Sequence, residues 1–238
     1  MKKLSSLIFF LIFHCLYISG QPIQFGSPQI TNFTSQDYNG EDQNWHIYQD
    51  KRGIIYFANS AGILEFDGIR WKLINMPNGL TSWRVIGGAD GKIIIGGSSE
   101  IGYLASDSTC NSYYKSILPQ IPKKYHDFRD IWGLYNYQNQ IVAITIDKIL
   151  IIGENTEEIK KDAAISELGM FNNKLYISIE GKGIFYLDKN KLHNADIKNY
   201  NNCQYRRLMQ LDQNKGILAG KAGGLFMMEG GKISPLTT

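Results

Sequence analysis

Cysteine, histidine and charge of one sign are all scarce in this chain: three cysteines, four histidines and a formal net charge of +3 in 238 residues. Three cysteines cannot make a disulfide-framed miniature fold. His14, His46, His126 and His193 stand far apart, show no metal-ligand spacing, and are joined by no Asp-x-Asp-x-Asp calcium loop, so no metal or other cofactor is expected. The basic pairs Lys160-Lys161 and Arg206-Arg207 are too short for a phosphate track, which argues against nucleic acid as a partner. Long apolar runs are missing too. The longest is the twelve residues 7–18, short of the roughly 20 that a helix needs to cross about 30 Å of hydrocarbon.

That run follows Lys2 and Lys3 and precedes Ser19-Gly20, the layout of an export signal. Residues 1–20 are therefore expected to be a signal peptide, leaving a mature chain of 218 residues with a net charge of +1 and no membrane span. Cys15 lies inside the apolar run, away from the cleavage point, so a lipid anchor is not expected. An exporting compartment permits disulfides. Cys110 and Cys203 nevertheless fall two repeat units apart, beyond the roughly 7 Å between α-carbons that a disulfide tolerates, and are expected to be free.

The rest of the chain repeats. Residues 45–71 read as four short β-branched and aromatic strands, separated by Asp50-x-x-Gly53, Asn59-Ser-Ala-Gly62 and Asp67-Gly68. Asp and Gly supply the side-chain acceptor and the positive φ of tight reversals. A second unit starts at Trp83 and turns at Asp90-Gly91; a third starts near Trp132 and turns at Asn139; a fourth turns at Asn172-Asn173; a fifth turns through Asn214-Lys215-Gly216. The anchors Gly53, Gly91, Asn139, Asn173 and Lys215 are spaced 38, 48, 34 and 42 residues apart, a mean of 40.5. Periods near forty with four strands each predict an all-β fold, a β-propeller of four-stranded antiparallel blades. About five blades are expected in residues 21–238, with units near 44–80, 81–128, 129–162, 163–204 and 205–238. The ring either closes with five or is the front part of a larger one, for which residues 22–33 would supply an outer strand.

The first unit, Trp45-x-Ile47-x-x-Asp50-x-x-Gly53-x-x-Tyr56-Phe57-Ala58-Asn59 with Gly62-x-Leu64-x-Phe66-Asp67-Gly68 and Trp71, resembles the two-component regulator propeller repeat. Units three to five keep the turns but lose the tryptophan or the aspartate: Asn139 replaces the aspartate, and Leu168 stands near the tryptophan position. The resemblance implies an exported ring of about seven repeats, followed by a β-sandwich, a membrane span and a kinase or DNA-binding output. It implies a bacterial periplasmic sensor for glycans or their breakdown products. No output region lies within these residues, so the chain would be an N-terminal sensing piece.

Three stretches imitate catalytic motifs. Gly216-Ile-Leu-Ala-Gly220-Lys221-Ala222 has three residues between its glycines where a phosphate loop needs four, and Ala222 in place of the hydroxyl. Gly96-Gly-Ser-Ser-Glu-Ile-Gly102 puts Glu100 where a nucleophile elbow needs glycine. His126-Asp127-Phe128-Arg129-Asp130 holds an imidazole and two carboxylates, but its place before Trp132 suits an inter-blade loop whose polar groups cap strand ends. Trp45, Trp71, Trp83 and Trp132 could stack sugars; their recurrence in the repeat argues instead for packing between blades. Better ligand candidates are Tyr113-Tyr114 and Tyr125, in the long second-unit insertion. A propeller hydrolase or lyase would need paired carboxylates on the channel, and Glu65, Asp67, Glu100 and Asp107 fall at turns and strand ends. The expectation is a non-enzymatic sensor propeller binding a glycan or other small molecule. A stand-alone binding scaffold that self-associates to complete its ring is the alternative, followed by a secreted carbohydrate-active enzyme.

Overall fold

A computed structural model describes residues 30–197 and 205–236. The expected signal peptide, with Cys15 and His14, and Cys203 lie outside the described residues. The chain divides into two compact units, Met1–Asn32 and Phe33–Thr238, and every element below belongs to the second.

The second unit consists of five four-stranded antiparallel sheets, each formed by consecutive strands. The first sheet comprises β1 (Asn44–Gln49), β2 (Ile55–Asn59), β3 (Gly62–Phe66) and β4 (Trp71–Ile74). The second comprises β5 (Ser82–Gly87), β6 (Ile93–Gly97), β7 (Glu100–Ser106) and β8 (Ser112–Ser116). The third has β9 (Gly133–Tyr137), β10 (Gln140–Ile144), β11 (Lys148–Ile152) and β12 (Thr156–Lys160). The fourth has β13 (Ile165–Phe171), β14 (Lys174–Ile179), β15 (Gly183–Asp188) and β16 (Lys191–Asn194). The fifth has β17 (Tyr205–Gln210), β18 (Lys215–Gly220), β19 (Leu225–Glu229) and β20 (Lys232–Pro235). The first strands of neighbouring blades adjoin, β1 beside β5, β5 beside β9 and β13 beside β17, so these strands line the axis of a β-propeller.

The turns are made as the residues dictate. Asp50 Oδ1 accepts the amides of Arg52 and Ile54 at 2.8 and 3.1 Å, and Asp212 Oδ1 those of Asn214 and Lys215 at 2.7 and 2.8 Å. Where aspartate is missing, paired left-handed residues replace it: Gln138 and Asn139 take φ of 49° and 63°, Asn172 and Asn173 of 48° and 58°. These are the dihedral signs of two-residue hairpin turns.

Four clusters of buried side chains fill the four junctions between consecutive blades. Ala58, Ile63, Val85 and Ile95 join the first to the second, and Ile101, Ile131, Leu134 and Leu150 the second to the third. Ile144, Ile149, Ile177 and Ile179 join the third to the fourth, and Leu168, Ile184, Leu208 and Leu218 the fourth to the fifth. Each fully buried aliphatic side chain contributes about 1.5–3 kcal/mol over leaving it in water. Among the described residues no such cluster joins the fifth blade to the first.

The consequence shows at equivalent positions. Ile47 pairs with Phe57 as Val85 does with Ile95, Leu134 with Ala143 and Leu208 with Leu218. Val85, Leu134 and Leu208 are 0, 3 and 4% exposed, whereas Ile47 is 58% exposed. On the far side of the fifth blade, Leu225 occupies the place of the fully buried Ile63 and Ile101 but is half exposed, as is Met209.

Before β1, Ile30–Phe33 forms no strand within this chain, and the rest of the expected outer strand, residues 22–29, lies outside the described residues. Thr34 donates its amide and hydroxyl to Asp37 Oδ2 at 2.7 and 2.8 Å, which turns the chain into the helical turn α1 (Ser35–Tyr38). Phe33 and Tyr38 then lie against Trp71, with ring centroids 5.3 and 5.4 Å away. Trp71 also stacks on Phe66 at 4.4 Å. This aromatic group covers the outer part of the first blade and leaves Ile47 open.

Candidate functional site

At the start of β1, β5 and β17 a bulge displaces one residue from the pleat. The register shifts fall between Asn44 and His46, Ser82 and Arg84, and Tyr205 and Arg207, so the displaced residues are Trp45, Trp83 and Arg206. Trp132 stands in the same place before Gly133, its amide bonded to Ile144 O at 2.9 Å. A bulge re-aims a side chain, and here it sends indoles to one mouth of the channel. Trp45 and Trp83 lie 4.6 Å apart between ring centroids, Trp83 and Trp132 4.5 Å. The row is tied at its edges: Trp45 Nε1 donates to Ser60 Oγ at 3.0 Å, and Trp83 Nε1 to Ser98 Oγ at 2.8 Å and Asp130 Oδ1 at 2.9 Å.

The recurring tryptophans do pack from blade to blade, as their repetition implied, but at the ends of the sheets rather than deep between them. Trp45 and Trp132 are 37 and 38% exposed, and Trp83 between them touches both. Trp71 alone packs inward, with its Nε1 buried and without a hydrogen-bond partner. The repeat places the indoles identically, but at the mouth.

One residue further along, the axial strands carry His46, Arg84, Gly133 and Arg207, paired with Ala58, Gly96, Ile144 and Ala219. In the fourth blade the bulge moves to Leu168, which releases Glu167 into the channel. Glu167 Oε1 accepts from Arg84 Nη2 and Arg207 Nη1, each at 2.8 Å, and Oε2 from the Tyr135 hydroxyl at 2.9 Å. Burial and the neighbouring carboxylate hold the Tyr135 phenol well above its ordinary value. His46 is pushed the other way, first by burial and then by the Arg84 charge, and stays neutral at pH 7. Of these channel residues, His46, for its lack of metal-ligand spacing, and Arg207, in a short basic pair, are noted from the sequence, whereas Arg84, Tyr135 and Glu167 are missed there. The signal was there, in the residue that follows each recurring tryptophan.

Beside Trp132 opens a cavity of about 420 Å³ lined by Asp127, Arg129, Asp130, Thr145 and Lys148. Lys148 is buried, donates to the Asp127 carbonyl and carboxylate, and lies 3.8 Å from Glu158. The stretch 126–130 thus caps the second blade and also walls this cavity: Ser99 N donates to Arg129 O, and Asp130 binds Ser98 Oγ at 2.6 Å. His126 is held by Ile121 O at 2.8 Å. A second cavity, of about 540 Å³, lies at the opposite mouth between the second and third blades. Its aromatic wall, Tyr103, is covered by the Lys92 ammonium.

The other sequence candidates are structural. Residues 216–220 lie in β18, and a side chain at Gly216 would meet Leu208 at 2.8 Å. Glu100 is buried and bonded to Ser116 Oγ at 2.6 Å and Tyr114 OH at 3.1 Å. Glu65 accepts from Ser112, while Asp67 and Asp107 bind turn amides. Tyr113 is exposed on β8, away from the row, and Tyr125 carries Lys124 over its ring. His193 stacks on Tyr186. Cys110 is a free, exposed thiol. Among the described residues no group of His, Cys, Asp and Glu is placed to hold a metal, and no helix is long and apolar enough to cross a membrane.

No family model matches the chain, and no curated protein matches it in sequence. Solved structures match its fold. The extracellular domain of BT4673 from B. thetaiotaomicron, assigned to a hybrid two-component system, superposes with a TM-score of 0.61 at 12% identity over 81% of this chain. Catalytically inactive virginiamycin B lyase from Staphylococcus aureus, bound to quinupristin, gives 0.60 at 11% over 79%, and the WD40 propeller domain of Doa1 0.60 at 14% over 82%. The chain spans 27% of the BT4673 domain and 68% of each of the other two. At these identities the likeness is one of fold, and the fold is a β-propeller.

Proposed function

We propose that this chain is the exported, ligand-binding propeller of a bacterial signal-transduction regulator of the two-component regulator propeller type, working in the periplasm without enzymatic activity. The observation that carries the reading is the row Trp45–Trp83–Trp132, partly exposed at one mouth and beside a cavity lined by charged side chains. Flat aromatic faces match the apolar faces of pyranose rings, and a cavity with a few convergent polar groups fixes orientation. The ligand is therefore a saccharide. The repeat of the first unit and the fold of the BT4673 extracellular domain support the sensor role.

Saccharide binding at the mouth would shift the balance between two arrangements of the propeller and its neighbours, by no more than the difference in affinity for the two. The exposed Ile47 and Leu225 support a ring completed by further blade surface, which a second copy could supply. The test is calorimetric titration of the exported chain with a panel of neutral and acidic oligosaccharides. Saturable heat that is lost in Trp83→Ala, with the melting temperature kept, is the expected result. A panel with no heat, or a Trp83→Ala variant that binds unchanged, would overturn it.

A further inference from the structure

The charges around the same mouth go further than a saccharide. Arg84 and Arg207 share one carboxylate, and both meet it on the same oxygen. His46 is held neutral, so the channel group keeps one uncompensated positive charge. Arg84 is enclosed, but the Arg207 side chain is 51% exposed and open to the mouth. Directly above it, at the bulge position that holds tryptophan in the first two blades, stands the exposed Arg206. The mouth thus runs from three indoles on blades one to three to two guanidinium groups on blade five. The carboxylates lie at the other end: Asp130, bonded to the neutral Trp83 and Ser98 donors, keeps its negative charge beside the indoles, and Asp127 is paired with Lys148, so the positive end of the mouth is blade five.

We propose that the ligand is an acidic saccharide, whose sugar rings lie on Trp45, Trp83 and Trp132 and whose carboxylate is taken by Arg206 and Arg207. This rests on the saccharide reading above and adds the charge class and the end at which the acid sits. A guanidinium presents paired donors that match a carboxylate.

The test uses matched pairs of trisaccharides that differ only in the acid: galacturonate against galactose, glucuronate against glucose, mannuronate against mannose. At least one acidic member is expected to bind tenfold or more tighter than its neutral partner, with an affinity that falls as salt rises. Arg206→Gln with Arg207→Gln together should cost about 10–100-fold for that acid, the worth of one or two charge-assisted bonds, and cost its neutral partner at least several-fold less. Arg206→Lys with Arg207→Lys should restore part of the loss, which a merely structural role would not. Equal affinity within every pair, or an acid unaffected by the double glutamine variant, would overturn the acidic class and leave the saccharide reading standing. No binding by any of the six would overturn both.

Discussion

Arg84 Nη2 lies 2.8 Å from Glu167 Oε1, so a side chain of the second blade pairs with one of the fourth across the third. The third blade permits this because it carries Gly133 at the position that holds His46 in the first blade and Arg84 in the second. A β-carbon there would stand 2.7 Å from Glu167 Oε2 and 3.0 Å from Ile144.

Gly133→Ala therefore forces the carboxylate off its partners. A loss of about 1–3 kcal/mol is expected from overpacking and the displaced pair, read as a lower melting temperature. Glycine's φ is not at issue at this position, so an unchanged melt would show that the Arg84–Glu167 geometry is not constrained from the third blade.

Glu167→Ala removes the carboxylate and leaves Arg84 enclosed without its partner. Losing one member of a buried pair costs about 3–5 kcal/mol, and the half-exposed Arg207 can turn to solvent, which places the expected loss near the lower end. Denaturant unfolding of this variant beside Arg207→Ala separates the two contributions, and the arginine variant is expected to lose the less.

The His46 imidazole gives the fold a pH dependence of definite sign. Its pKa is lowered from 6.5 by burial and by Arg84, so the unfolded chain binds the proton more readily. Stability from this group is complete above pH 6.5 and declines as pH falls through that value. His46→Gln is expected to flatten the melting temperature between pH 7 and 5, and a slope equal to that of the parent chain would show that other groups carry it.

Ile47 and Leu225 predict association. Light scattering over a concentration series should show mass above the monomer, and Ile47→Lys together with Leu225→Lys should restore the monomer. A parent chain that stays monomeric at all concentrations would leave the open faces without a second copy to cover them.

The turn residues made the fold legible from sequence, because Asp50, Gly53, Asn139, Asn173 and Lys215 sit where the chain must reverse, and local chemistry alone decides a reversal. Five sheets followed from their spacing. The site was less legible. Sequence shows that Trp45, Trp83 and Trp132 recur, but not that they meet at the mouth, where a one-residue bulge puts Trp45 and Trp83, since register depends on the partner strand. The Arg84–Glu167–Arg207 group was hidden for a related reason. Its members lie 83 and 40 residues apart, and nothing local marks Glu167 as the position where the fourth blade shifts its bulge. After residue 33 the Thr34–Asp37 pair commits the chain to a turn, which the apolar residues before it do not announce.

The most direct test of the account is oxidative footprinting of the tryptophans with and without a bound oligosaccharide, read by mass spectrometry. The account predicts that ligand protects Trp45, Trp83 and Trp132 together and leaves Trp71 unchanged; protection of Trp71 alone, or of none of the three row residues by a ligand that demonstrably binds, would contradict it.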